Sequence, residues 1–194
     1  MKYPDHLNLL IDLFKKFPGV GTKSAERFAF ELINWSDENL KQMSETIRNT
    51  KTNLTHCTSC GSLVKDDCLF CKRTGTTLCV VATARDIFLI EETRTYQGLY
   101  HVLGTLLSPI HGLVPSKSII DKLKQRITDL SINEIIIALD STLEGDATAL
   151  YLKKELAPLA VALSRLALGI PMGSSLDYID GGTLTRAFEG RLAY

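Results

Sequence analysis

The five cysteines of this chain are bunched at positions 57, 60, 68, 71 and 79. Cys57 and Cys60 frame CTSC, Cys68 and Cys71 frame CLFC, and seven residues separate the pairs. A C-x2-C pair places two thiolates on one tight knuckle, and two knuckles complete a tetrahedral set of sulfurs around zinc. Four sulfurs leave no open position for water or substrate, so the expected zinc, one per chain, is structural. Cys79 lies inside the apolar run LCVV and reads as a core thiol. His56, beside a set that four sulfurs already fill, reads as surface. A second concentration of reactive groups follows the run IIIAL: Asp140, Glu144 and Asp146. Carboxylates at the carboxyl end of a buried strand are where α/β sheets hold magnesium or move protons. The plainer reading is that they cap and solvate a helix beginning near Glu144, where negative charge is favoured.

A third constellation is FPGVGTKSAERFAFEL, residues 17–32. Gly19 and Gly21 allow a tight reversal between two helices and a close approach of main chain to a ligand. The amides at the start of the second helix face an anion. Lys23 and Arg27 stand four apart, on a face that can flank one phosphate. Such contacts position a nucleic-acid backbone without reading its sequence. A plain αα-hairpin uses the same glycines only to turn.

These residues need elements to hold them. HLNLLIDLFKKF carries the stripe Leu7, Leu10, Ile11 and Phe14 of an amphipathic helix, which Pro18 stops. The second helix has Ala25, Phe28, Ala29 and Leu32 on one face. A third opens at Ser36, an N-cap followed by Asp37 and Glu38, and is expected to bury Leu40, Met43 and Ile47. Residues 53–76 hold too few apolar side chains for a core, so a metal staple is expected there. From residue 77 strand and helix alternate: LCVVA, ARDIFLIEE, GLYHVL, SIIDKLKQRITDL, INEIIIAL, DATALYLKKEL and VALSRLAL. That order predicts a mainly parallel sheet covered on both faces. The expected organisation is a multi-domain α and α/β chain: a helical domain over 1–52, a finger over 53–76 and an α/β domain over 77–168. A glycine-punctuated C-terminal segment over 169–194, ending in a short helix after Thr183, is expected to serve subunit contacts.

Charge narrows the function. Twenty-two basic residues balance twenty-two acidic ones. A protein that grips nucleic acid alone usually carries a basic excess, so binding here must come from local contacts or from several subunits together. No apolar stretch approaches the ~18 residues of a membrane span. The charged N-terminus is no signal peptide, and a cytoplasmic location is expected.

The glycine turn and its helices resemble the helix-hairpin-helix motif. LCVVATARD, joined to the acidic stretch after IIIAL, resembles the Toprim domain of primases, type IA and II topoisomerases and some nucleases. In that domain the first strand ends in a glutamate that moves a proton, and a later strand ends in an Asp-x-Asp pair that binds magnesium. Here Ala82 stands in the glutamate's place and Thr142 in that of the second aspartate. Asp140 matches the first aspartate, and Glu144 and Gly145 match a following Glu-Gly. An alanine cannot move a proton, and Asp140 with Glu144 is a thin magnesium site.

The ordered set of hairpin, four-cysteine finger and degenerate Toprim domain resembles the RecR family of bacterial recombination mediators. So do GLYHVLGTLLSPIHGLVP, TLEGDATALYL and TLTRAFEGR. The family usually keeps VVE where this chain has Val80-Val81-Ala82. The resemblance implies a non-enzymatic DNA-binding protein of recombinational repair. It would act with RecO, and in some bacteria RecF, to load recombinase onto single-stranded or gapped DNA. It implies a homo-oligomer, a dimer or ring-like tetramer, located at the nucleoid. Gly19, Gly21, Lys23 and Arg27 would contact DNA; Asp140, Glu144 and Asp146 would face a partner protein or modulate access to DNA. Two other classes stand beside this one: a magnesium-dependent Toprim nuclease or primase-like enzyme, and a zinc-ribbon adaptor with no DNA contact.

Overall fold

The structure, a computed structural model, describes residues 3–108 and 112–191. Positions 109–111, inside the segment GLYHVLGTLLSPIHGLVP, and the last three residues of the C-terminal segment lie outside the described residues. The chain divides into two compact units, Met1–Leu54 and Thr55–Tyr194.

The first unit holds α1 (Asp5–Phe14), α2 (Thr22–Ile33) and α3 (Asp37–Asn53). Ala25 and Ala29 of α2 are wholly buried against Ile11 of α1, with Leu7, Leu10, Phe14 and Val20 packed around them. Two alanines on one face let the helices approach closely, and Phe28, set beside them in the sequence, stays 39% exposed with its ring edge-on to Phe14. Ser36 caps α3, its hydroxyl accepting from the Asn39 amide. The burial expected of α3 does not occur. No residue of α3 is buried, and Ile47 is 60% exposed. The α1–α2 pair closes its own core, so Leu40, Met43 and Ile47 instead line an apolar groove of about 550 Å³ with Leu13 and Phe17.

The second unit begins with the finger. Its strands β1 (Thr55–His56) and β2 (Leu63–Val64) pair antiparallel. The body follows as β3 (Thr77–Val81), α4 (Ala84–Glu92), β4 (Leu99–Val102), α5 (Lys117–Asp129), β5 (Glu134–Ala138), α6 (Leu143–Leu156) and β6 (Ala162–Arg165). The four body strands form one parallel sheet in the order β4-β3-β5-β6. Strand β6 is shorter than VALSRLAL suggested, because pairing with β5 extends only from Ala162 to Arg165. Leu78, Val80, Ile135 and Ile137 on one face meet Ile120, Leu123 and Ile127 of α5 and Leu152 and Leu156 of α6. Cys79, Val81 and Tyr100 on the other face meet Ile87 of α4 and Phe70 of the finger. The finger is thus part of the sheet's second cover.

After β6 the chain runs to α7 (Gly181–Glu189), which is capped by Asp180 and buries no residue. Among the described residues no helix is long and apolar enough to cross a membrane.

Candidate functional site

The four finger thiols are brought together. The sulfurs of Cys57, Cys60, Cys68 and Cys71 all lie within 4.8 Å of one another. Cys57 and Cys71 are 3.8 Å apart and Cys60 and Cys68 3.5 Å apart. Sulfurs set tetrahedrally at the zinc–thiolate bond length would be about 3.8 Å apart, so the donor set fits that ion. The first knuckle is made by backbone. The Gly61 amide donates to the Cys57 carbonyl at 2.8 Å, and the Cys57 amide to the Ser62 carbonyl at 2.8 Å. Burial pushes the Cys60 and Cys71 thiols up. Burial opposes ionisation of Cys68 as well, but the Ser62 hydroxyl, the Cys71 backbone and the neighbouring thiols outweigh it and hold that group at about 6. A divalent metal held by the four sulfurs would supply the charge that ionises the set. Cys79 stands apart in the core, buried and pushed up to about 12. His56 is exposed, its Nδ1 3.1 Å from the Gly61 carbonyl.

Two contacts that the sequence did not signal fix the finger to the sheet. The Val102 amide on β4 donates to the Cys60 carbonyl at 2.8 Å, so the first knuckle covers the sheet's open edge. Arg73, just past the last finger cysteine, forks onto both Glu91 oxygens at 2.8 and 2.6 Å and stacks over the Phe70 and Tyr100 rings. Tyr100 completes the network with a 2.6 Å hydrogen bond to Glu91. Arg73 pulls the Glu91 carboxyl below its ordinary range.

The acidic turn sits where the topology reverses. From β3 the chain crosses to β4 on one side and then to β5 on the other, so the carboxyl ends of β3 and β5 lie side by side, Val81 opposite Ala138. Such a switch point is where open α/β sheets place ligands. Ala82 stands at the end of β3, its methyl packed on the core. Asp140 is exposed, and Glu144 is half-buried. Thr142 caps α6, accepting from the Gly145 amide at 3.1 Å, so its oxygen is committed to the helix. Gly145 must be glycine: a Cβ there would lie 2.0 Å from the Asp140 carbonyl oxygen.

Asp146 is committed as well. Arg165 of β6 places Nη2 2.7 Å from its Oδ1, a contact of charge without hydrogen-bond alignment. Arg186 of α7 donates to its Oδ2. These guanidinium groups, Arg186 foremost, hold the Asp146 carboxyl below the usual range. Among the described residues the cysteine cluster alone brings three or more metal-type ligands together; Asp140, Glu144 and Asp146 do not converge. The two arginines follow Asp146 by 19 and 40 residues, too far for any local spacing rule to have paired them.

In the first unit the hairpin turn places Gly19 at φ +80°, a backbone region that suits glycine. Gly21 is the N-cap of α2, in extended conformation. Among the described residues no side chain caps that end, and none lies within 4 Å of a Cβ built on either glycine. The first amides of α2 are therefore open to a ligand. Lys23 and Arg27 are both exposed, with the Arg27 guanidinium 5.6 Å from the Phe28 ring centre.

Fold and site together define a Toprim-fold protein that carries a helix-hairpin-helix unit and a four-thiol finger. Family comparison matches residues 7–51 to the RecR helix-hairpin-helix, 76–167 to the Toprim domain and 169–192 to the RecR C-terminal region. The chain is 58% identical over 195 residues to Recombination protein RecR of Protochlamydia amoebophila (strain UWE25), covering 98% of each. It is 50% identical over 199 residues to Recombination protein RecR of Chlamydia caviae, covering the whole of both. With Recombination protein RecR of Chlamydia trachomatis serovar D the identity is 47% over 196 residues, 98% of each. The chain belongs to the RecR family.

Proposed function

We propose that this protein is a non-catalytic DNA-binding component of recombinational repair. In this reading it acts with RecO, and with RecF where that is present, to load recombinase onto single-stranded or gapped DNA. The observation that carries DNA binding is the open amino end of α2, flanked by exposed Lys23 and Arg27 in a chain of the RecR family. Gly19 and Gly21 let a phosphate approach the α2 amides, and the two cations neutralise its neighbours. One hairpin makes few contacts, so a homo-oligomer, dimer or ring-like tetramer, combines several on one DNA molecule. Zinc on Cys57, Cys60, Cys68 and Cys71 is structural, holding the finger on the β4 edge.

The reading assigns no chemistry to the acidic turn. Ala82 offers no proton, the Thr142 oxygen caps a helix, and Asp146 is neutralised by arginine. Asp140 and Glu144 then face a partner protein or modulate access to DNA.

The test is Lys23→Ala with Arg27→Ala. Both side chains are exposed, so circular dichroism and oligomer size should be unchanged while binding to gapped DNA is lost. A double variant that binds as tightly as the parent sinks the hairpin as the DNA surface. A magnesium-dependent cut in DNA, abolished by Asp140→Ala, would return the protein to the enzymes.

A further inference from the structure

Ser62 is a wholly buried residue inside the finger. It stands just before β2, and its carbonyl accepts from the Cys57 amide at 2.8 Å. The main chain of the first knuckle therefore fixes where its side chain starts. The hydroxyl oxygen lies 3.0 Å from the Cys60 sulfur and 3.2 Å from the Cys68 sulfur. Those sulfurs belong to different knuckles, so one hydroxyl bridges the two. A buried serine ordinarily turns its hydroxyl to a nearby main-chain group. Among the described residues the Ser62 hydroxyl bonds to no main-chain group, and it is the one side chain besides the cysteines bonded to the four sulfurs.

We propose that Ser62 is a positioning residue of the metal centre: its hydroxyl donates to the Cys60–Cys68 thiolate pair, ties the two knuckles together and slows the ion's escape. This rests on the reading of the four sulfurs as zinc ligands and goes beyond it. With the ion bound, both sulfurs are thiolates and can only accept, so the serine supplies the one side-chain proton between them. A hydrogen bond to an ionised acceptor is roughly twice as strong as one between neutral groups. Four thiolates around a divalent ion also leave an excess of negative charge in a buried place, and the hydroxyl dipole offsets part of it. Groups that orient ligands in this way fix the direction of each donor as well as its charge. Ser62→Ala isolates the effect, because it removes the hydroxyl and leaves the carbonyl that receives the Cys57 amide.

The test uses the full chain loaded with zinc or, as a spectroscopic probe, with cobalt(II), and compares the parent with Ser62→Ala and Ser59→Ala. Ser59 is exposed on the same knuckle, so its variant removes a hydroxyl without touching the sulfur pair. In competition with a chelator, Ser62→Ala should bind zinc about tenfold more weakly, with circular dichroism unchanged. Its cobalt form should show the thiolate-to-metal charge-transfer band at longer wavelength, since a thiolate that loses a hydrogen bond gives up charge more readily. Ser59→Ala should match the parent in both measurements. Unchanged affinity in Ser62→Ala would overturn the proposal and leave the zinc reading standing. So would weaker binding with the band unmoved, or an equal change in Ser59→Ala, since the serine would then only fill space. A parent that holds neither zinc nor cobalt would overturn the zinc reading, and this proposal with it.

Discussion

His101 is a buried residue whose titration falls in the mildly acid range. It sits in β4 at 3% exposure, with Nδ1 3.2 Å from the Arg126 guanidinium and, among the described residues, no hydrogen-bond partner for Nε2. Burial, with the charges of Arg126 and Lys122 adding to it, pushes the ring down to about 4. The folded ring is therefore neutral where an unfolded histidine, near 6.5, has begun to protonate. The sign follows: stability is intact above about 6.5 and is lost as pH falls toward 4. By pH 5 the loss should be on the order of 2 kcal/mol. Urea midpoints at pH 7 and pH 5 measure it, and His101→Gln should flatten the difference between the two pH values. An equal drop in parent and variant would place the acid sensitivity elsewhere. At this scale the sequence was legible where chemistry is local. The cysteines declare themselves by spacing, Cys79 by its apolar run. Asp146 was not legible. Its position among acids suggested a ligand site, whereas its partners Arg165 and Arg186 come from β6 and α7 and meet it only through the fold.

Elements were legible where periodicity and termination agree. The helix α4 occupies ARDIFLIEE, the span expected, because Thr83 and Asp86 punctuate its start: the Thr83 amide donates to the Asp86 carboxylate at 2.7 Å. The stripe on α3 was a true apolar stripe, but periodicity says only that a face wants cover, not that this unit supplies it. The finger adds a docking geometry that no composition rule contains. Gly61 is its pivot. It has φ +79°, and a Cβ there would come 2.8 Å from the Val102 Cβ on the strand the knuckle covers. Gly61→Ala therefore meets both backbone strain and a clash with a strand held by the Cys60–Val102 hydrogen bond. Together these should cost about 3 kcal/mol. The expected result is one zinc per chain in the parent by elemental analysis, with faster loss of zinc to a chelator and a lower urea midpoint in Gly61→Ala. Parent protein without stoichiometric zinc would refute the metal assignment. A variant with unchanged stability would show that the knuckle is not anchored on β4.

For the whole molecule the governing fact is balance: twenty-two cations, twenty-two carboxylates and a formal net charge of zero. A neutral subunit has no strong long-range field to draw DNA toward it, so in the proposed function affinity is assembled from short-range contacts repeated in space. That gives the salt dependence a meaning it lacks for a basic protein. The slope of log affinity against log salt counts phosphates neutralised, about 0.9 for each on a duplex. In the proposed mode of binding, Lys23→Ala removes one phosphate contact from every subunit that touches the DNA. Its effect on the slope is therefore the number of engaged hairpins, not one. If two hairpins hold the duplex the slope should become shallower by about 2, and if four do, by about 4. Arg27→Ala should give the same count, because it stands on the same face of the same helix. Light scattering of the same complexes supplies an independent subunit number, and the two counts should agree for a ring in which every hairpin faces the DNA. A slope that Lys23→Ala leaves unchanged would mean that the phosphates are held by other residues. A slope change near 1 in an assembly of several subunits would mean that one hairpin alone is engaged, and that oligomerisation serves something other than DNA affinity.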